Sequence, residues 1–275
     1  MSQTPPSDPA ALLDLAQRAA RAAGAELLRR YGRVEGLDTK SSATDPVSDA
    51  DRASEVLIAG MIEGERPDDG VLGEEGASKP TVSGITWVID PLDGTVNYLY
   101  EIDNWSVSIA AQDGAGSVIG AVYDPCRDRM FHAIRGGGSF RDGTRLAVND
   151  PVPFDRALLA TGFGYLPERR AAQSALIATL LPRIRDIRRL GSAALDLCAV
   201  AAGTVDAYLE EGVQVWDIAA GGLIAAEAGA LVTPATPTGA AGGVLAAGPA
   251  LHPPLQAAID QWSITWRTAA AAHSS

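Results

Sequence analysis

One stretch constrains the chain more than any other: Trp87-Val-Ile-Asp90-Pro-Leu-Asp93-Gly94-Thr95-Val-Asn97-Tyr98. Ile85 and Trp87 to Ile89, with Thr86 inside the run, predict a short buried strand. Asp90 ends it. Pro91 fixes φ and offers no N–H to a sheet ladder, so a turn is predicted there. Gly94 lets the backbone approach another group closely, and Thr95 or Asp93 is placed to cap a following helix. Two carboxylates at a strand end, beside free backbone N–H groups, are able to hold a divalent cation and a phosphate together. A capped turn with solvated aspartates would use the same residues. The remainder of the chain must decide between these readings.

The charge balance narrows the partners. A net charge of −12 repels nucleic acid and anionic lipid, so neither a basic-groove binder nor a membrane-surface protein is expected. An anionic substrate then needs a local positive source, such as metal ions or helix N-termini. With 275 residues and 47% hydrophobic content, the chain is large enough for a substantial core of one or two domains. Cys126 and Cys198 are too few for a disulfide framework and are expected to be reduced, which points to the cytoplasm. No apolar run is long enough to span a membrane, and no signal peptide is apparent.

Along the chain, Ser7 or Asp8 caps a helix with Pro9 in its first turn. Its buried stripe runs through Leu12, Leu15 or Ala16, Ala19, Ala23, Leu27 and Tyr31. Ser48 and Asp51 begin a second helix, expected to end near Met61. Val71 to Gly76 reads as a short strand ending in Glu74 and Glu75. Trp105–Gln112, Ser117–Tyr123 and Arg129–Ile134 form a meander with turns at Asp113-Gly114 and Asp142-Gly143. Beyond residue 150 the pattern alternates. Strands are predicted over Ala157–Thr161, Ile184–Ile187 and Val205–Leu209. Helices are predicted over Glu168–Leu181, Ala193–Ala202 (capped by Ser192), Trp216–Ala228 and His252–Trp262. Thr233 to Gly243 reads as a Pro/Gly/Thr loop. This divides the chain into an α+β half, 8–150, and an α/β half, 151–267, with flexible tails at 1–7 and 268–275.

The candidate acids are Asp51, Glu74, Asp90, Asp93, Glu210 and Asp217. Gathered in one cleft they would repel each other unless cations neutralised them. Oxygen ligands without Cys or His point to Mg²⁺ rather than zinc. His132, His252 and His273 have neither ligand nor triad spacing, and no Gly-x-Ser-x-Gly motif is present. A phosphatase must neutralise phosphate oxygens, generate hydroxide and stabilise the leaving alkoxide, all of which two or more Mg²⁺ ions supply. A Thr hydroxyl held by one carboxylate can orient water while another carboxylate takes its proton. The rival aspartyl-phosphate chemistry uses Asp-x-Asp-Gly-Thr. Here the spacing is Asp-x-x-Asp-Gly-Thr, which moves the second acid out of position, so a covalent aspartyl route is rejected.

Three motifs in order make the chain similar to the inositol monophosphatase family of Mg²⁺-dependent, lithium-sensitive phosphatases. They are Gly73-Glu74-Glu75, the 87–97 stretch, and Trp216-Asp217-Ile-Ala-Ala-Gly-Gly-Leu-Ile-Ala-Ala-Glu227-Ala-Gly. Lys40 to Asp51 also fits a family pattern, and the likeness spans about residues 10 to 262. The resemblance implies a layered αβαβα sandwich of the inositol monophosphatase/fructose-1,6-bisphosphatase type, usually homodimeric. It implies that Glu74, Asp90 and the Leu92 carbonyl bind a first metal. Asp90, Asp93 and Asp217 bind a second, and Glu74 helps hold a third through water. Thr95, paired with Asp51, would activate the attacking water with Glu74, and the N–H groups of Gly94 and Thr95 would cradle the phosphate.

Substrate contacts carry over from Leu190-Gly191-Ser192-Ala193-Ala194 and from Glu210 at the end of Asp206-Ala207-Tyr208-Leu209-Glu210. Asp93 would share in them. The 191–198 and 216–217 segments look most like bacterial members of the family. Tyr98 stands where Phe is usual, and Ala230 where Gly is common; neither touches the metal acids. The expected reaction is hydrolysis of myo-inositol monophosphate. Histidinol phosphate, fructose-1,6-bisphosphate and 3′-phosphoadenosine phosphates are alternatives, with Arg188 and Arg189 a weak argument for the last. A regulatory interaction role added to or replacing catalysis is the reading from another class.

Overall fold

A computed structural model describes residues 8–33, 38–39, 46–47, 49–239 and 241–273. Ser48 and the stretch from Lys40 to Asp45 lie outside the described residues, so the expectations placed on them do too. In chain order the elements are α1 (Pro9–Arg30), β1 (Asp38–Thr39), β2 (Pro46–Val47), α2 (Asp49–Glu65), β3 (Gly70–Gly73), β4 (Ser78–Lys79), β5 (Thr86–Asp93), α3 (Thr95–Leu99), β6 (Ser106–Asp113) and β7 (Gly116–Asp124). There follow β8 (Arg129–Ile134), β9 (Gly138–Arg141), β10 (Thr144–Arg145), β11 (Leu158–Thr161), α4 (Pro167–Leu180), β12 (Asp186–Arg188), α5 (Ala193–Ala201), β13 (Ala207–Glu211), α6 (Val215–Glu227), β14 (Leu231–Pro234), β15 (Gly243–Ala247) and α7 (His252–His273).

Strand alternation assembles these into five layers. The first sheet has the order β10-β9-β8-β7-β6-β5-β3-β4 and is antiparallel except where β3 meets β5. Because successive side chains of a strand point to opposite faces, Trp87, Ile89, Ile109 and Ala111 face α1 and α2, packed with Leu12, Ala16, Ala23, Leu27, Ile58 and Ile62. Val88 and Ala110, between them in sequence, face the other way. They pack against α5 and α6 through Ala194, Leu195, Cys198, Ala220 and Ile224.

The second sheet has the order β12-β11-β13-β15-β14, with β11 parallel to both neighbours. Its Ala160, Tyr208, Val244 and Ala246 face α5 and α6, while Leu159, Leu209, Leu245 and Ala247 face α4 and α7. The result is the αβαβα sandwich expected from the resemblance, with α5 and α6 as the shared middle layer. Small residues allow that layer to sit close: a Cβ on Gly120 of β7 would lie 2.8 Å from the Ala220 carbonyl oxygen of α6. Fully burying one large apolar side chain, as at Trp87, stabilises by roughly 1.5–3 kcal/mol.

The helix predicted first is capped as expected, with Asp8 accepting from Ala10 N–H at 3.0 Å. The hydroxyl that distinguishes Tyr98 donates to the Leu27 carbonyl at 2.8 Å, so the departure from Phe is a satisfied buried bond. Three expectations need correcting. The 233–243 segment is not all loop: β14 and β15 enclose its ends and complete the second sheet. β15 pairs by register with distant β13, and β14 pairs with β15 at the sheet edge, which a local Pro/Gly-rich composition hides. The last helix continues past Trp262 and past Thr268, to His273, where an Ala run favours helix. The chain also does not leave the sheet at Asp90; β5 continues through Pro91 to Asp93.

Candidate active site

The continuation of β5 explains how Asp90 and Asp93 meet. Residues three apart on a regular strand point to opposite faces. Here Asp90 pairs with Ser108 and Asp93 with Ser106, so three steps on β5 oppose two on β6, and the register shifts between them. This bulge restores the parity and brings both carboxylates to one cleft. Pro91, lacking an N–H, suits the irregular position. Its carbonyl accepts from Ser54 Oγ of α2 at 2.8 Å, and Leu92 N–H donates to Asp90 Oδ1 at 3.1 Å.

The expected cap of α3 is different. Gly94 occupies the N-cap at φ 93°, with no side-chain cap bond. Asp93 caps another helix instead. Its Oδ1 accepts from Ala193 N–H at 3.1 Å and its Oδ2 from Ala194 N–H at 2.9 Å, at the start of α5. Ser192 Oγ also donates to Oδ2, as does Ser106 Oγ at 3.2 Å. Ser192 accepts from Leu195 N–H at 3.2 Å, which makes it the predicted cap of α5.

Asp217 reaches the same place from the first turn of α6, where it closes a capping box with Gln214. Among the described residues, Asp90, Asp93 and Asp217 each offer a carboxylate oxygen, all within 4.8 Å of one another. Burial pushes the Asp90 carboxyl well above its usual range, and the charges of Glu74, Asp93, Asp217 and Asp51 add to it. Burial also raises Asp217 strongly, reinforced by Asp93 and Glu74. Asp93 is pushed up only to about 6, because the bonds from Ser192, Ala194 and Ala193 oppose its burial. Oxygen-only donors that repel one another when ionised are the donor set a hard divalent cation fits.

A cleft of 390 Å³ collects the other predicted residues. Glu74, Leu92, Gly94, Thr95, Gly191, Ala193 and Glu210 line it together with Asp90, Asp93 and Asp217. Glu74 is set there by α2: Glu55, buried on that helix, accepts from Glu75 and Ala77 N–H, each at 2.8 Å. Asp51, one turn earlier on α2, lies behind the cleft. Thr95 Oγ1 has two acceptors in range, Leu92 O at 3.1 Å and Asp51 Oδ2 at 3.4 Å. Ser192, expected beside the substrate, is fully buried with its hydroxyl on Asp93.

Sequence reasoning missed Phe163, Tyr165 and Arg169, which line the cleft from the segment after β11, and undervalued Arg189, which also lines it. No motif marks them; only the docking of the second sheet brings them in. Ser54, Glu55 and Ser106 were missed as supports because α2 and β6 meet the 74–77 and 91–93 segments only through packing within the first half. His132 stacks on Phe140 and His252 Nε2 meets Thr233 Oγ1 at 2.9 Å, both away from the cleft. Both cysteines are free, and no helix among the described residues is long and apolar enough to cross a membrane.

Fold and site together define a layered phosphatase scaffold with an acidic, cation-compatible cleft. The Inositol monophosphatase family pattern matches residues 8–266, and the chain belongs to that family. It is 42% identical over 280 residues to the inositol-1-monophosphatase SuhB of Mycobacterium tuberculosis, covering 94% of this chain and 97% of the relative. It is 45% identical over 224 residues to the Nus factor SuhB of Pasteurella multocida, covering 80% and 84%. The crystal structure of extragenic suppressor protein suhB from Bartonella henselae superposes with a TM-score of 0.84 at 34% identity, covering 90% of this chain and 98% of that one.

Proposed function

We propose that the chain is a Mg²⁺-dependent phosphomonoesterase that hydrolyses myo-inositol monophosphate to inositol and phosphate by direct attack of water. The observation that carries this reading is the convergence of Asp90, Asp93 and Asp217 beside Glu74 and Thr95 in one cleft. Glu74, Asp90 and the Leu92 carbonyl would hold one cation, and Asp90, Asp93 and Asp217 a second, with Glu74 supporting a third. When bound, the cations supply charge neutralisation at the phosphate and a lowered pKa for water.

The chain's own groups do the rest. Thr95 Oγ1 can give its proton to only one acceptor at a time. With that proton on Asp51 Oδ2, its lone pairs accept from the attacking water and orient it. Glu74 takes the water's proton. The N–H groups of Gly94 and Thr95 hold phosphate oxygens, while Gly191 and Ala193 leave room for the ring. Glu210 accepts from its hydroxyls. Lithium inhibition and a homodimer belong to the same reading, by family likeness.

The test is a substrate panel with and without Mg²⁺: myo-inositol-1-phosphate, histidinol phosphate, fructose-1,6-bisphosphate and 3′-phosphoadenosine phosphate. Metal-dependent turnover led by inositol phosphate is expected. Brisk turnover of another member with negligible turnover of inositol phosphate overturns the substrate, and none at all overturns the activity.

A second reading, a binding role added to or replacing catalysis, draws on relatives named Nus factor SuhB. An Asp93→Asn variant that is inactive yet keeps the cellular role, with a stoichiometric partner in a pull-down, would favour it.

A further inference from the structure

The Glu210 carboxylate is held from two sides. Tyr208, two residues earlier on β13, points to the same face of the strand. Its hydroxyl donates to Glu210 Oε2 at 2.8 Å. On another side lies Gly162, just past the end of β11, where an added Cβ would overlap both carboxylate oxygens. Strand pairing of β11 with β13 sets this approach, with Thr161 opposite Leu209. Thr161 Oγ1 also donates to Leu209 O at 2.8 Å, which pins the two strand ends together.

The two residues sit at different depths. Tyr208 has no exposed surface. It belongs to the apolar cluster that includes Leu197 and Val200 of α5 and Val244 and Ala246 of β15. Glu210 is only partly buried and lines the cleft, whereas Tyr208 does not. The phenol therefore cannot meet a ligand except through Glu210. Burial keeps the phenol proton far above its usual range, so the hydroxyl stays a donor wherever the protein is folded.

A carboxylate has about four acceptor positions on its two oxygens. Tyr208 occupies one on Oε2, and the backbone at Gly162 limits how the group can turn. The positions left toward the cleft accept from hydrogen-bond donors of a ligand. An ester with hydroxyls on its carbon skeleton supplies such donors; a simple aryl phosphate does not.

We infer that Tyr208 is a positioning residue for substrate selection, its phenol locking Glu210 so that phosphate esters bearing skeleton hydroxyls are preferred over esters without them. This rests on the reading of Glu210 as a substrate contact. The selectivity is then set from the core, by a residue that no substrate touches.

The test compares wild type with Tyr208→Phe, Gly162→Ala, Glu210→Gln and the Tyr208→Phe/Glu210→Gln double variant, at saturating Mg²⁺. Each is assayed on myo-inositol-1-phosphate and on 4-nitrophenyl phosphate. Tyr208→Phe keeps the ring and removes one bond to a carboxylate. It is expected to raise KM for the inositol ester about fivefold, with kcat within about twofold and KM for the aryl ester unchanged. Gly162→Ala displaces the same carboxylate without touching the phenol, so the same split is expected. The double variant should be no worse than Glu210→Gln alone.

An unchanged inositol-ester KM in Glu210→Gln overturns the reading of Glu210 as a substrate contact. If Glu210→Gln raises that KM but neither Tyr208→Phe nor Gly162→Ala does, the positioning claim falls while that reading stands. Equal rises for both esters in Tyr208→Phe overturn it as well, since a general loosening of the fold would act on both.

Discussion

The backbone N–H of Ala194 donates to Oδ2 of Asp93 at 2.9 Å, across 101 positions of sequence. Together with Ala193 N–H and Ser192 Oγ, it places the carboxylate at the positive end of α5. This holds Asp93 to about 6 against its burial, whereas Asp90 beside it is pushed well above the usual carboxylate range by burial and the neighbouring acids. Ser192→Ala removes one charge-assisted donor, and such bonds contribute about 1.5–3 kcal/mol. The acid limb of the pH–rate profile should move up by about one pH unit, and half-saturation by Mg²⁺ should rise. A profile identical to wild type would show that the hydroxyl does not tune Asp93.

Metal removal should expose the repulsion among the acids. Asp90, Asp93 and Asp217 all have folded pKa values above the usual carboxylate range. Each binds its proton more tightly folded than unfolded. The stability this contributes is present below the unfolded value and is lost as pH rises through the folded one. In chelator, Tm should therefore fall between pH 5 and pH 7.5, and Mg²⁺ should restore more of it at pH 7.5 than at pH 5. Thermal unfolding at both pH values checks this; equal restoration would argue against cation binding at these carboxylates.

Asp196 offers a separate measurement in α5. It is 1% exposed, and its Oδ1 has no hydrogen-bond partner among the described residues. Burial pushes it up to about 8, aided by the charges of Glu210 and Asp93 and opposed by Arg189. By the same sign, its ionisation costs stability as pH rises toward 8. Asp196→Asn should gain on wild type as pH goes from 5 to 8, by on the order of 1–3 kcal/mol at the upper end. Parallel Tm curves for the two proteins would rule this out.

Gly94 holds the close approach of two loops. Its φ is 93°, and a Cβ there would lie 3.1 Å from both the Asn104 and Gly191 carbonyl oxygens. Gly94→Ala should cost about 1–3 kcal/mol in stability. It should also lower kcat at least about tenfold by shifting the neighbouring N–H groups. Tm and steady-state kinetics measured together check it; wild-type values for both would show that the loop yields freely.

Much of the site was legible along the chain. Asp90, Asp93, Gly94 and Thr95 stand out by residue type and spacing, because those are properties of neighbours in sequence, while Glu74 and Asp217 are candidate acids whose roles came from the family motifs. Amphipathic α1 and the meander through β8 follow from local periodicity for the same reason. The tertiary structure alone decided how the acids are used. The bulge that puts Asp90 and Asp93 on one face depends on the register of β5 against β6. Ser192 turned from an expected substrate neighbour into a support for Asp93, and β15 emerged from an apparent loop and brought β14 with it, each through a partner far away in sequence, Asp93 for Ser192 and β13 for β15. Sheet register and helix docking are set by burial summed over the whole chain, so no local window carries them. The sequence by itself determined which chemical groups are available, and packing decided which of them meet.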